Sequence, residues 1–116
     1  MKENIVLILN PDEKVWLEKY REALDEQYPD LVQDIIVFGS KARGEAQEDS
    51  DLDVMIIIRG GNKKTKKDIA FLGYDLSCGT QAVPSIIVYT DEEKNYRIQH
   101  QSSFMEVVQE EGVSVR

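Results

Sequence analysis

Cysteine and long apolar runs are scarce in this chain. Its 116 residues include one cysteine, Cys78, so an internal disulfide is excluded and a reducing, cytoplasmic location is expected. No apolar run, such as that at residues 54–58, is longer than five residues, which is far too short to span a membrane. Charged residues and asparagine interrupt the first ten residues, which argues against a secretory signal. We therefore expect no membrane association.

Basic residues are also few. There are 14 Lys and Arg against 22 Asp and Glu, which gives a net charge of −8. Nucleic-acid binding is therefore an unfavourable interpretation, because phosphate affinity comes mainly from cationic side chains. Four lysines nevertheless cluster at positions 63, 64, 66 and 67. A solvated helix face explains them, and contact with an acidic partner or a nucleic acid is the alternative.

The hydrophobic pattern predicts one domain over residues 1–116, with short buried strands between helices. Strands are predicted at 34–38, 52–58 and 85–89. Helices are predicted at 12–27 and 63–78, after Thr90, and at 104–111. Residues 4–9 fit either a short strand or a strand-like lead-in. This order predicts an α/β (α+β) fold in which helices pack on a small mixed sheet.

Apolar residues recur at helical spacing in the first helix: Val15, Trp16, Tyr20, Ala23 and Leu24. We expect Trp16 and Tyr20 in the core, although the same stripe would equally serve a homodimer interface. Cys78 is expected to be buried or half-buried, and His100 to lie on the surface.

The first chemical motif is the sequence GSKARG at residues 39–44, which directly follows a predicted strand. Gly39 permits a turn that a β-carbon would hinder. Ser40 and the surrounding amides can hold a phosphate if a helix begins there. Lys41 and Arg43 add positive charge, and a guanidinium can bind a phosphate through two hydrogen bonds.

The second motif is the sequence SDLD at residues 50–53, at the start of the next predicted strand. Alternation along a strand places Asp51 and Asp53 on one face. Two close carboxylates repel each other, and a divalent cation keeps both ionised. Mg²⁺ commonly binds one or two carboxylates together with substrate phosphates. We group Ser50 with Gly39 and Ser40 as nucleotide-binding candidates. The two motifs together predict phosphoryl or nucleotidyl transfer.

Gly39-Ser40, ten intervening residues and then Asp51-x-Asp53 form a pattern that resembles the DNA polymerase β-type nucleotidyltransferases. The Ala-Arg-Gly after Gly-Ser-x narrows the resemblance to the minimal nucleotidyltransferases, a group that includes antitoxins encoded beside HEPN-domain toxins. The resemblance is strongest over residues 35–58, and it continues through residues 85–89 and the terminal Glu111-Gly112. It implies a polymerase β-like nucleotidyltransferase core.

The resemblance also implies a reaction. Gly39 and Ser40 would contact a nucleoside triphosphate, which is ATP or another NTP. Asp51 and Asp53 would bind Mg²⁺ or Mn²⁺. An acceptor hydroxyl, plausibly on a HEPN-type partner protein, would attack the α-phosphorus, and pyrophosphate would leave. The alternative is a catalytically impaired, nucleotide-binding module that acts as an antitoxin-like interaction partner.

One position departs from the family pattern. Catalytically complete members carry a third carboxylate at the start of the next core strand, where this chain has Ser85. Serine is a weak Mg²⁺ ligand and cannot act as a base at pH 7. Asp75 on the preceding helix is the nearest substitute that the sequence offers.

Overall fold

The computed structural model describes residue 7, residues 9–45 and residues 51–116. This part of the chain forms five helices and four strands. In chain order they are α1 (Pro11–Gln27), β1 (Val32–Phe38), α2 (Ser40–Arg43), β2 (Leu52–Ile58), α3 (Lys63–Ser77), β3 (Pro84–Thr90), α4 (Asp91–Gln99), α5 (Ser103–Glu111) and β4 (Val113–Ser114). Of the uncertain segment 4–9, only Leu7 and Leu9 belong to the described residues. Both pack against the core without forming a strand.

The four strands form one mixed sheet in the order β3-β2-β1-β4. β1 pairs antiparallel with both β2 and β4, whereas β2 and β3 run parallel. The predicted α/β class with a small mixed sheet is therefore confirmed. The parallel pair requires a crossover, and α3 supplies it across one face of the sheet.

One face of the sheet packs against α1 and α3. Trp16 and Tyr20 are buried there, as expected, and each donates a hydrogen bond to α3: Trp16 Nε1 to Gly73 O at 2.8 Å and Tyr20 Oη to Ile69 O at 2.7 Å. A β-carbon at Gly73 would overlap Tyr20 and Ile86, so glycine allows α3 to approach α1 closely. Val15 shares the apolar spacing of this helix, but it is 50% exposed.

The other face of the sheet packs against α4 and α5. Met105 and Val108 of α5 are buried against alternate residues of the two central strands: Ile36, Phe38, Met55 and Ile57. Ile98 of α4 packs on the same cluster. Since side chains alternate along a strand, each central strand contributes to two separate apolar layers.

Several backbone positions at the free edge of β3 have no N–H group available for another strand. Pro84 has no N–H group, the Ile86 N–H donates to Tyr74 Oη at 2.9 Å, and the Thr90 N–H donates to Glu93 Oε1 at 3.0 Å. The N–H groups of a strand point alternately to its two sides. Those of the odd-numbered residues of β3 point toward β2, and the even-numbered positions lie on the free side. The edge therefore offers few unpaired donors to another strand.

Two surface predictions had different outcomes. His100 is exposed at the end of α4, where its ring stacks on Tyr96 with centroids 3.9 Å apart. Cys78 is exposed, so the expectation of a buried thiol was wrong. It lies at the C-cap of α3, beyond the last residue of that helix that contacts the sheet. None of the helices in the described part of the chain is long and apolar enough to cross a membrane.

Candidate active site

Three neighbouring strand positions define one end of the sheet. Asp53 near the start of β2 pairs with Phe38 at the end of β1 on one side and with Ser85 near the start of β3 on the other. Asp53 has the same parity as Met55 and Ile57, so its side chain lies on the α4/α5 face of the sheet. Ser85 has the parity of Ile87 and Tyr89 and shares that face.

Gly39 and Asp53 are in direct contact. Gly39 has φ 76° and ψ −155°, a backbone conformation that is essentially confined to glycine. A β-carbon at this position would overlap Oδ2 of Asp53. The turn after β1 therefore lies against the carboxylate at the start of β2. The structure thus brings Gly39 of the first motif against Asp53 of the second motif.

The environment of Asp53 favours its neutral form. Partial burial raises the pKa of its carboxyl above the ordinary value, and the negative charge of Asp51 raises it further. Arg43 acts in the opposite direction, since its positive charge lowers the pKa of Asp53. The two aspartates are thus close enough to repel each other, as the sequence predicted, and Asp51 is the more exposed of the two.

The helix α2 begins at Ser40, directly after Gly39. Gly39 O accepts hydrogen bonds from the amides of Ala42 and Arg43, each at 3.1 Å, and these bonds fix the first turn. Ser40 is half-buried beside Gly39, at the end of the turn that lies against Asp53. The remaining nucleotide-binding candidate, Ser50, lies outside the described residues.

Lys41 has a different environment from the one expected. Its Nζ lies 3.1 Å from Oε1 of Glu13, and the two side chains are only 6% and 3% exposed. The same Glu13 oxygen accepts the N–H of Asn10 at 3.0 Å in the capping box of α1. The Lys41 ammonium is therefore buried in an ion pair with α1 and is not exposed at the surface of the site. No local sequence pattern points to Glu13 as this partner, because it lies 28 residues earlier.

Arg43 lies at the C-terminal end of α2 and forms two ion pairs. Nε is 3.1 Å from Oε2 of Glu45, and Nη1 is 3.1 Å from Oε2 of Glu111. The hydrogen bonds that the guanidinium donates to these two carboxylates raise the pKa of Arg43. The Arg43 side chain remains 37% exposed. The Glu111 contact ties α2 to the end of α5 and places Arg43 within electrostatic range of Asp53.

No described acidic residue joins the aspartate pair at the third position. Ser85 is the partner of Asp53 across the parallel strands, and Asp75 is exposed on α3, which packs against the opposite face of the sheet. Within the described ranges, no three His, Cys, Asp or Glu side chains are placed to hold a metal ion together. The donor set is thus a pair of carboxylates with a serine beside it, which fits a Mg²⁺ ion that also binds substrate phosphates.

The lysine cluster at the start of α3 is partly neutralised. Lys64 Nζ lies 2.7 Å from Oδ2 of Asp68, and Lys66 Nζ lies 2.9 Å from Oε1 of Glu93 on α4. Lys63 and Lys67 are exposed. These contacts agree with the interpretation of a solvated helix face for at least half of the cluster.

The sequence of this chain is similar to those of known proteins. Residues 17–112 match the family described as "Nucleotidyltransferase domain". A protein of Methanocaldococcus jannaschii named "Putative protein adenylyltransferase" is 28% identical over 100 residues, which cover 85% of this chain and 94% of that protein. Another protein of that organism with the same descriptive name is 48% identical over 40 residues, which cover 34% of this chain and 44% of that protein.

Solved structures extend the likeness of the fold. A Sulfolobus solfataricus protein described as a putative nucleotidyltransferase superposes with a TM-score of 0.58 at 20% identity, over 88% of this chain and 78% of that one. A chain from a mutant of the toxin–antitoxin pair MntA–HpeT gives a TM-score of 0.56 at 17% identity, over 94% of this chain and 73% of that one. The family match covers most of the chain, including α2, β2 and the strand that carries Ser85. The chain therefore belongs to the nucleotidyltransferase domain family.

Proposed function

We propose that this protein is a Mg²⁺-dependent nucleotidyltransferase that transfers AMP from ATP to a hydroxyl acceptor. The observation that carries the proposal is the contact between Gly39 and Asp53, which joins the turn before α2 to the aspartate pair. A phosphate-binding turn and a cation site must adjoin if one triphosphate is to occupy both. The adenylyltransferase names of the archaeal relatives support AMP as the transferred group.

In this proposal Asp51 and Asp53 hold the Mg²⁺ or Mn²⁺ ion. When bound, the ion would neutralise charge on the phosphate oxygens and orient the triphosphate. Partial burial and then the charge of Asp51 raise the pKa of Asp53, and a bound divalent cation would oppose both effects by stabilising the ionised carboxylate. Gly39 and Ser40 contact the phosphates, and Gly39 does so through its backbone, since it has no side chain.

The reaction is an in-line substitution at the α-phosphorus. A bond forms between the acceptor oxygen and the α-phosphorus, the bond from that phosphorus to the bridging oxygen breaks, and pyrophosphate leaves with the bonding electrons. The acceptor hydroxyl proton must pass to a base. Ser85 cannot accept it at pH 7, so solvent or a group on the acceptor takes this proton.

The acceptor is proposed to be a hydroxyl on a partner protein of the HEPN type. Two observations support a partner. The fold resembles a chain of a toxin–antitoxin pair, and the relatives are named as adenylyltransferases of proteins. A partner that brings its own base would also compensate for the serine at position 85.

A second function is favoured by Ser85 itself. Without an acid beside Asp53, the site retains its phosphate-binding turn and aspartate pair, but it loses the group that helps to activate the acceptor. In that case the chain is a nucleotide-binding module that acts by sequestering its partner, as an antitoxin-like protein.

A transfer assay separates the two functions. The purified chain is mixed with α-labelled ATP, Mg²⁺ or Mn²⁺ and the product of the adjacent gene, and both label on the partner and released pyrophosphate are followed. Transfer by the wild type that is lost in the Asp51→Asn/Asp53→Asn variant establishes the enzyme. Absence of label, with Mg²⁺-dependent ATP binding retained, establishes the binding module. Absence of both overturns the site.

A further inference from the structure

An exposed aromatic ring borders the aspartate pair and has no role in the reaction described above. Phe104 is 39% exposed at the first turn of α5. Its ring meets that of Phe38 edge to face, with centroids 5.5 Å apart and an interplanar angle of 81°. Phe38 is in turn the cross-strand partner of Asp53. Phe104 is therefore one side chain removed from the carboxylate that binds the cation in the proposed function.

The position of α5 places this ring on the face of the sheet that carries Asp53. Met105 and Val108 anchor the helix to the α4/α5 face of the sheet, which is the face that carries Asp53. At the other end of α5, Glu111 pairs with Arg43 of α2. The helix therefore reaches from Phe38 to the end of α2, on the same face of the sheet as Asp53.

The two phenylalanines differ in a way that suits a stacking surface. Phe38 is buried, with 8% exposure, and it supports one edge of the Phe104 ring. This contact restrains the orientation of Phe104 and leaves a substantial part of its surface open. An open, oriented aromatic ring is the feature that stacks on nucleobases in proteins, and such stacking tolerates any base because every base has a π-face.

We propose that Phe104 is the stacking platform for the nucleobase of the bound nucleotide. This inference rests on the proposed function, because it requires the triphosphate to lie at Gly39 and Asp53. It adds a separate base-binding subsite to the phosphate subsite. Recognition by stacking also predicts a preference for purine over pyrimidine nucleotides, since a purine offers the larger ring surface.

Comparing the affinities of two ligands separates the contribution of the base from that of the phosphates. Titration calorimetry with Mg²⁺ compares ATP, which has a base, with inorganic tripolyphosphate, which has none. Phe104→Ala is expected to raise the Kd for ATP roughly tenfold, as for the loss of one base–aromatic stack. The Kd for tripolyphosphate is expected to stay unchanged. The ratio of Kd values for CTP and ATP should fall toward one.

Matched variants keep this test independent of folding. Val107→Ala shortens another exposed side chain of α5, which is 45% exposed in the wild type, and it should leave both affinities unchanged. Phe104→Trp retains an aromatic surface and should restore ATP binding, whereas Phe104→Leu fills the contact with Phe38 but should not. Equal ATP affinity for the wild type and Phe104→Ala overturns the stacking proposal and leaves the proposed function standing; a side chain that serves a protein partner would give this result. Failure of the wild type to bind either ligand overturns both.

Discussion

Glu13 and Lys41 form a buried ion pair that joins the first turn of α1 to the short helix after β1. The Glu13 oxygen that accepts from Lys41 also accepts from the Asn10 backbone, so one carboxylate stabilises both the start of α1 and the position of α2. Because α2 begins next to Gly39, this pair supports the turn that meets Asp53. Removal of either charge leaves the other buried without a partner.

The first prediction concerns this pair. Lys41→Met should lower the free energy of unfolding by about 3 kcal/mol, because it leaves a buried carboxylate uncompensated. Glu13→Gln keeps an oxygen for the Asn10 N–H and should destabilise by a comparable amount through the unpaired ammonium. Urea denaturation measures both values.

The double variant is the control for that prediction. Glu13→Gln/Lys41→Met buries no unpaired charge and should be more stable than either single variant, which gives a favourable coupling energy in the double-mutant cycle. Additive losses would contradict the role assigned to the pair.

The second prediction concerns Gly39. Gly39→Ala should abolish measurable binding of Mg²⁺-ATP, because the new β-carbon overlaps the Asp53 carboxylate. The backbone strain alone costs about 1–3 kcal/mol. Gly79→Ala is the matched control. Gly79 has a similar φ of 80°, but a β-carbon there meets nothing within 4 Å. Equal loss of ATP binding in both variants would show that strain, rather than overlap with Asp53, is responsible.

The third prediction restores the missing acid. Ser85 faces Asp53 across the parallel strands, so Ser85→Asp places a carboxylate beside the pair. If proton removal from the acceptor limits the reaction, the rate of transfer should rise by about 10²-fold. Ser85→Asn has similar size without the charge and should not exceed the wild-type rate. Equal rates for the Asp and Asn variants would argue against a general-base role at this position.

The fourth prediction concerns pH and stability. Folding raises the pKa of Asp53, so the folded chain binds its proton more tightly than the unfolded chain. The resulting free energy favours folding at low pH and is lost as pH rises through the folded-state pKa. Asp53→Asn should therefore stabilise the metal-free protein at pH 7, by about 0.5 kcal/mol because the group is partly solvated.

Thermal unfolding at two pH values tests this effect. The difference between Asp53→Asn and the wild type should be largest at pH 7 without divalent cations, and it should disappear near pH 3. A variant that is less stable than the wild type at pH 7 would show that favourable interactions of the ionised carboxylate outweigh the cost of its burial and its repulsion from Asp51.

The sequence predicted those features that depend on neighbouring residues in the chain. The strands at 34–38 and 52–58 follow from short apolar runs, and β1 and β2 contain them. Alternation along a strand predicts Asp51 and Asp53 on one face; Asp51 lies one residue before β2, and its charge raises the pKa of Asp53. Family resemblance supplied the link to Gly39, and the contact with Asp53 is its physical counterpart.

Other features depend on tertiary contacts that no local pattern encodes. Lys41 was expected to contact phosphate because it lies within a glycine-rich turn, but its environment is set by Glu13 on another helix. Val15 belongs to the apolar spacing of α1 and yet is exposed, because the buried stripe of this helix includes Glu13 and Leu17 instead. In both cases the packing of α1 against the rest of the molecule determines which side chains are buried.

The capped edge of β3 limits how this protein can assemble. Strand addition would require a partner to displace the Tyr74 hydroxyl from the Ile86 N–H, and it would gain no hydrogen bond from Pro84. At the opposite edge of the sheet, β4 spans only Val113–Ser114. The blocked edge of β3 and the shortness of β4 therefore protect the protein from polymerising through these sheet edges. Among the described residues, the helices and loops therefore offer the more accessible surfaces for other chains, and mutations there would leave the strand that carries Asp53 undisturbed.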